Sequence, residues 1–137
     1  MIEYRFEENA RTSGELAADG MVLLENRDAL LPFENAAKVA VFGAGQLAFS
    51  MGGTGSAAVY TAYRIGAIEG LEEQEAAGRI VIDREVLKAY RENPALEESA
   101  DFIARAAARN SAALVILSRN AGEGADRRDV PGDYRMS

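Results

Sequence analysis

Three short, continuous apolar runs punctuate the chain: KVAVFG (38–43), RIVI (79–82) and ALVILS (113–118). Runs of this length, rich in valine and isoleucine and bounded by turn-forming residues, are expected of strands covered on both faces. Between and before them, apolar positions recur at helical spacing. Residues 7–26 set Ala10, Leu16, Ala17, Met21 and Leu24 on one face, with Gly14 and Gly20 interrupting. Residues 59–75 set Val59, Ala62, Tyr63, Ala67 and Leu71 near one face, interrupted by Gly66 and Gly70. Asp83 fits the N-cap of a helix through Tyr90, and Pro94 fits the start of another running to about Asn110. Asn26 to Asp28 read as a turn, and LLPF (30–33) as a short extended piece.

Strands alternating with helices predict the α/β class, with a mostly parallel sheet between two helical layers. Three strands fall short of the roughly five or six in an average sheet. The chain also stops soon after its most polar loop. Residues 1–137 are therefore expected to form one partial α/β/α sandwich domain with an exposed apolar edge.

Charge and composition narrow the chemistry. The net charge is −7 with no basic tract, which argues against a nucleic-acid partner or an anionic membrane surface. There is no cysteine and no histidine, which removes disulfides, thiolate and imidazole nucleophile pairs, and His-based metal sites. Acid–base chemistry must then use Asp, Glu, Lys or Tyr. The segment MIEYRFEENA lacks the apolar core of a signal peptide, and no apolar run nears the roughly 20 residues that span a bilayer. With Met1 as the natural start, the expected location is cytoplasmic.

Two glycine-rich segments follow the first strand. GAGQLA (43–48) imitates a dinucleotide-binding fingerprint, but a run with three further glycines interrupts the expected helix, and Tyr63 stands where a ribose-binding acid is expected. GGTGS (52–56) lacks the Gly-Lys-Ser/Thr ending of a phosphate loop. Both read either as tight packing at a strand end or as the rim of a ligand pocket offering backbone N–H groups, Thr54 and Ser56.

The segment RNAGEGADRRD (119–129) leaves the third strand and sets Glu123 between Gly122 and Gly124. Flanking glycines carry an entropic cost, so they point to a geometric demand on the backbone. Arg119, Asn120, Asp126 and Arg127 supply hydrogen-bonding groups suited to a polyhydroxylated ligand. Glu123 is then either a proton donor or a surface carboxylate paired with Arg127 or Arg128. Glycoside hydrolysis needs a second carboxyl, about 5–5.5 Å away for retention and about 6.5–9.5 Å for inversion. Asp126, Asp129 and Asp133 are near in sequence, with Asp126 expected to pair with the neighbouring arginines, so the segment looks like half of a site.

The ordered blocks GMVLLEN…LLPF (20–33), KVAVFGAGQ (38–46), GGTGS (52–56), EGLEE (69–73) and RNAGEGADRRDVPGDYRMS (119–137) resemble glycoside hydrolase family 3, in the α/β sandwich domain of its β-glucosidases. The resemblance runs from about Ala10 onward. It implies retaining hydrolysis of a β-linked glucoside or oligosaccharide, without metal or organic cofactor. It implies an aspartate nucleophile on a separate (β/α)8 barrel domain of the same enzyme, absent from this chain. It also implies Glu123 as the general acid/base, with Gly53, Thr54 and Ser56 on the pocket rim. Ala57 departs from the family's G-G-x-G-S-G pattern, and the family's sandwich has further strands beyond the segment matching GDYRMS. A non-catalytic module that binds carbohydrate or a partner domain is the alternative expectation.

Overall fold

Val39, Ala40 and Val41 are fully buried at the centre of the strand β1 (Ala37–Phe42), and the rest of the sheet is arranged around them. The computed structural model of the chain describes residues 5–48, 60–61, 63–119, 126–130 and 133–135. These fall into two units, Met1–Pro32 and Phe33–Ser137.

In the first unit, α1 spans Phe6–Asp19 and ends at Gly20, shorter than the 7–26 that apolar spacing predicts. The spacing continues through Met21 and Leu24, but both are exposed and non-helical, so no packed face rewards continuation past the glycine. A 3-10 turn at Arg27–Ala29 follows. The Asn26 side chain fixes the turn from both sides, donating to the Leu31 carbonyl at 2.7 Å and accepting from its N–H at 2.9 Å.

In the second unit the order is β1, α2 (Ala67–Ala76), β2 (Ile80–Ile82), α3 (Arg84–Glu92), α4 (Ala100–Arg109) and β3 (Ala112–Val115). The sheet order is β2-β1-β3 and all pairings are parallel. Register sets Val39 beside Ile82 and Ala112, and Phe42 beside Val115. Alternation along β1 divides its side chains between two cores. Val39 and Val41 pack with Ile68, Ile80 and Ile82 on the α2 side. Ala40 packs with Val86, Tyr90 and Ala106 on the side of α3 and α4, where Phe42 and Phe102 meet edge to face with centroids 6.3 Å apart. Helices thus cover both faces, giving a three-layer α/β/α sandwich.

The covering is uneven. Val81, Val115 and Leu117 are 42%, 62% and 60% exposed, although the apolar runs that contain them predict burial on both sides. The α3–α4 layer covers the middle strand and leaves the flanking ones open on that face.

Helix starts follow local chemistry. The Asp83 carboxylate accepts from the N–H groups of Glu85 and Val86 at 3.0 and 3.2 Å, the N-cap that the sequence predicts. α2 begins at Ala67 rather than near residue 59, with the Gly66 N–H donating to Glu69 Oε2 at 3.0 Å. α4 begins after Ser99, whose hydroxyl accepts from the Phe102 N–H at 3.2 Å. Pro94 instead lies in a turn five residues earlier, because the capping hydroxyl and not the proline's fixed φ sets the start.

Candidate functional site

The connection through α2 carries the chain from β1 to one neighbour, and the connection through α3 and α4 carries it back across β1 to the other. The order in which strands are added therefore reverses between β1 and β3. A parallel sheet opens a crevice at such a point, beyond the carboxyl ends of the two strands, because their connections leave to opposite sides. Here those carboxyl ends lead into the two segments singled out from sequence. β1 runs into the glycine-rich segment, and β3 runs through Ile116, Leu117 and Ser118 to Arg119.

The two exits are in direct contact. The Ile116 N–H donates to the Phe42 carbonyl at 2.9 Å, extending the β1–β3 ladder. Gly43 has φ +92°, and a Cβ on it would lie 2.3 Å from the Ile116 carbonyl oxygen. A Cβ on Gly45 would meet the Ile116 and Ser118 side chains at 3.0 and 3.1 Å. The first of the two sequence readings, tight packing at a strand end, thus holds for Gly43 and Gly45. Gly43 is followed by a 3-10 turn at Ala44–Gln46 rather than by a helix, so the helix N-terminus that a dinucleotide fingerprint needs is not formed there.

Buried polar side chains brace this turn. Tyr90 reaches from α3, is 1% exposed, and accepts the Gly43 N–H at 2.9 Å while donating to Glu98. Burial first, and then the hydrogen bond with Glu98, push the Tyr90 hydroxyl up to about 12, so it stays protonated at any working pH. Gln46 is fully buried and donates through Nε2 to the Val41 and Gly43 carbonyls at 2.9 and 3.2 Å. Its Oε1 is buried with no hydrogen-bond partner among the described residues.

Of the residues singled out as a site, Glu123, Gly53, Thr54 and Ser56 lie outside the described residues. Arg119, Asp126 and Arg127 lie within them. Arg119 is exposed and donates to the Tyr134 carbonyl at 3.1 Å, tying the chain before residues 120–133 to the chain after them. Asp126 and Arg127 are exposed and make no ion pair or hydrogen bond among the described residues. The expected pairing of Asp126 with the adjacent arginines is replaced by crossed pairs further on. Arg128 Nε lies 3.5 Å from Asp133, and Arg135 Nε lies 2.7 Å from Asp129. The Arg128 N–H also donates to Asp133 at 3.0 Å. Asp129 and Asp133 are thus engaged, whereas Asp126 and Arg127 have no partner among the described residues.

A second polar cluster lies away from the strand exits. Asp83 accepts Arg109 Nε at 2.6 Å and Asn110 Nδ2 at 2.6 Å, and Asn110 also donates to the Ala106 carbonyl at 2.8 Å. Burial raises the Asp83 carboxyl, but hydrogen bonds from Arg109, Asn110 and the Val86 N–H, with the charge of Arg109, outweigh it and hold the pKa below its ordinary value. This cluster joins the start of α3 to the end of α4 and fixes the layer that carries Tyr90. A cavity of about 160 Å³ lies beside it and one of about 240 Å³ along α4, and the larger has no titratable side chain among its described lining residues. Among the described residues no group of His, Cys, Asp and Glu converges as a metal site, and no helix is long and apolar enough to cross a membrane.

Sequence reading missed Tyr90 and Gln46. Tyr90 carried a signal, since it falls on the same helix face as Val86 and Leu87, and a buried tyrosine needs a partner for its hydroxyl. Gln46 carried none.

A parallel α/β/α sandwich whose strand order reverses between β1 and β3 is a ligand-binding architecture shared by many families. The chain belongs to glycosyl hydrolase family 3, whose C-terminal domain model matches residues 21–135. It is 36% identical over 132 residues to β-glucosidase A of Butyrivibrio fibrisolvens, an alignment covering 85% of this chain and 15% of that protein. It is 30% identical to a β-glucosidase of Ruminococcus albus over 100% of this chain and 16% of that one. Among solved structures, β-glucosidase 3B of Thermotoga neapolitana in complex with α-D-glucose superposes with a TM-score of 0.78 at 31% identity, over 96% of this chain and 21% of that one. A β-glucosidase of Paenibacillus barengoltzii gives 0.77 at 32% identity, over 100% and 16%. The chain thus spans about a sixth of the length of the curated relatives it matches.

Proposed function

We propose that this domain supplies the general acid/base and part of the sugar pocket of a retaining β-glucosidase-like enzyme. The observation that supports the reading is the contact between the exits of β1 and β3, the two strands whose onward chain carries Gly53–Ser56 and Glu123 in the sequence. Membership of family 3 and the β-glucosidase names of the relatives support the substrate class.

In this mechanism the nucleophile is an aspartate on a (β/α)8 barrel domain of the same polypeptide. In the first step Glu123 gives its proton to the glycosidic oxygen as the C1–O bond breaks and the aspartate oxygen bonds to C1. In the second, Glu123 takes a proton from water as the water oxygen bonds to C1 and the ester to the aspartate breaks. Two displacements at C1 retain its configuration, and no cofactor enters. A carboxyl in this role needs its pKa raised by burial or by a neighbouring carboxylate. Asp126 and Arg127, with no partner among the described residues, hydrogen-bond sugar hydroxyls, and Gly53, Thr54 and Ser56 contribute to the pocket rim. Arg119 contributes by closing the base of its segment.

The test is Glu123→Gln in the complete enzyme. Hydrolysis of alkyl β-glucosides, whose leaving groups need a proton, falls by about 10²–10⁴-fold, the range for general acid catalysis. Dinitrophenyl β-glucoside, which leaves without a proton, keeps a rapid first step. Unchanged rates on both substrates return Glu123 to the solvated-carboxylate reading. Residues 1–137 alone turn over neither, since the nucleophile is on the barrel. Glucose binding by a Glu123→Gln enzyme of full activity would favour the non-catalytic module instead.

A further inference from the structure

Gly43 is where the two strand exits meet, and both its backbone groups are held by buried side chains. Its N–H donates to Tyr90 Oη at 2.9 Å, and its carbonyl accepts from Gln46 Nε2 at 3.2 Å. A Cβ on it would fall 2.3 Å from the Ile116 carbonyl oxygen, so the two backbones lie close and the position of Gly43 bears on how β3 departs from the sheet. Tyr90 is 1% exposed and Gln46 fully buried, so neither side chain reaches a bound sugar. The Tyr90 hydroxyl is fully used, accepting from Gly43 and donating to the exposed Glu98 ahead of α4.

We propose that Tyr90 is a positioning residue for the acid/base segment, acting through Gly43 and Ile116, with Glu98 orienting its hydroxyl and Gln46 bracing the same turn. The proposal rests on the reading of Glu123 given above. Three observations favour positioning over packing alone. Phenylalanine would fill the Tyr90 site equally well, yet the hydroxyl is spent on a backbone N–H at the exit of β1. The hydrogen bond joins residues 47 apart in sequence, from the α3 layer to the strand exit. And Gly43 touches the backbone from which the Glu123 segment starts. A displacement of about 1 Å in a catalytic group costs about 10²-fold in rate, so a bond this near the root of the segment has leverage.

The experiment compares Tyr90→Phe, Glu98→Leu, Glu98→Gln and Glu123→Gln in the complete enzyme, on an alkyl β-glucoside and on dinitrophenyl β-glucoside. Tyr90→Phe is expected to lower kcat/KM on the alkyl substrate by about 10- to 100-fold, with a several-fold smaller loss on the activated one. Glu98→Leu follows in the same direction, and Glu98→Gln, which keeps an acceptor for the hydroxyl, restores the wild-type ratio. A purely structural role lowers both substrates equally. An equal loss in Tyr90→Phe beside a leaving-group-dependent loss in Glu123→Gln overturns the positioning role and leaves the acid/base intact. A Glu123→Gln loss independent of the leaving group brings down both. Should Tyr90→Phe fail to fold, the Glu98 pair decides, with an unchanged substrate ratio in Glu98→Leu overturning the proposal.

Discussion

Replacing Gly43 by alanine would place a methyl carbon 2.3 Å from the Ile116 carbonyl oxygen, with Ile116 C at 3.1 Å and N at 3.4 Å. Two costs add. The backbone at φ +92° and ψ 139° lies in a region reached essentially by glycine, which costs an alanine about 1–3 kcal/mol. The clash is with backbone rather than with a flexible side-chain end, so β1 and β3 must part where Ile116 donates to Phe42. Overpacking of this kind costs about 1–3 kcal/mol more. The sum, roughly 2–6 kcal/mol, is a large part of the about 5–15 kcal/mol that stabilises a domain. Gly78 provides the control, since it has φ +74° but a Cβ there meets nothing within 4 Å. Gly78→Ala should lose only the backbone share, about 1–2 kcal/mol. Urea unfolding of residues 1–137, followed by circular dichroism, reads both. Gly43→Ala should lose about 1–3 kcal/mol more than Gly78→Ala, the overpacking share. Equal losses would refute the contact between the strand exits on which the site reading stands.

The remaining predictions concern the layer behind the site and the exposed Asp126. Asp83→Asn keeps an N-cap but removes the charge that Arg109 pairs with; with Arg109 about one-third exposed, the cost at neutral pH is about 1.5–2 kcal/mol by urea melts. Because the folded Asp83 carboxyl titrates below its unfolded value, its contribution is complete above about pH 4 and disappears as pH falls through the lower folded pKa. Stability curves of wild type and Asp83→Asn should therefore converge in acid, and a constant gap would show that charge is not the cause. Asp126→Asn should leave stability within about 0.5 kcal/mol, having no partner among the described residues to lose, while raising KM for the glucoside in the complete enzyme. A stability loss with unchanged KM would make Asp126 a structural residue.

The strand order and the site lie at different depths in the sequence. The strands β1, β2 and β3 were legible because the apolar runs that contain them show no polar alternation. Asp83 was legible as a cap because a carboxylate ahead of an apolar helix face has few other uses. Helix starts were less so. Apolar spacing in 59–75 and the fixed φ of Pro94 both promised earlier starts than Gly66 and Ser99 deliver, since local hydrogen bonding decides which turn nucleates. The exposure of Val81, Val115 and Leu117 was hidden because an apolar run states what a residue can bury and not which layer covers it. Glu123 was singled out from its glycines and the charged residues around it, and it lies outside the described residues. The bracing of Gly43 by Tyr90 and Gln46 was not legible, because it depends on a tertiary contact between α3 and the end of β1.

Removing the Glu123 carboxyl altogether tests the central claim most directly. In the complete enzyme, Glu123→Ala should form the glycosyl–enzyme ester from dinitrophenyl β-glucoside and then stall, with no base to activate water. Azide, a nucleophile that needs no base, should accelerate turnover and yield β-glucosyl azide, its configuration retained after two displacements. Turnover near the wild-type rate, or no response to azide with the ester accumulated, would contradict the assignment of Glu123 as the acid/base carried by this domain.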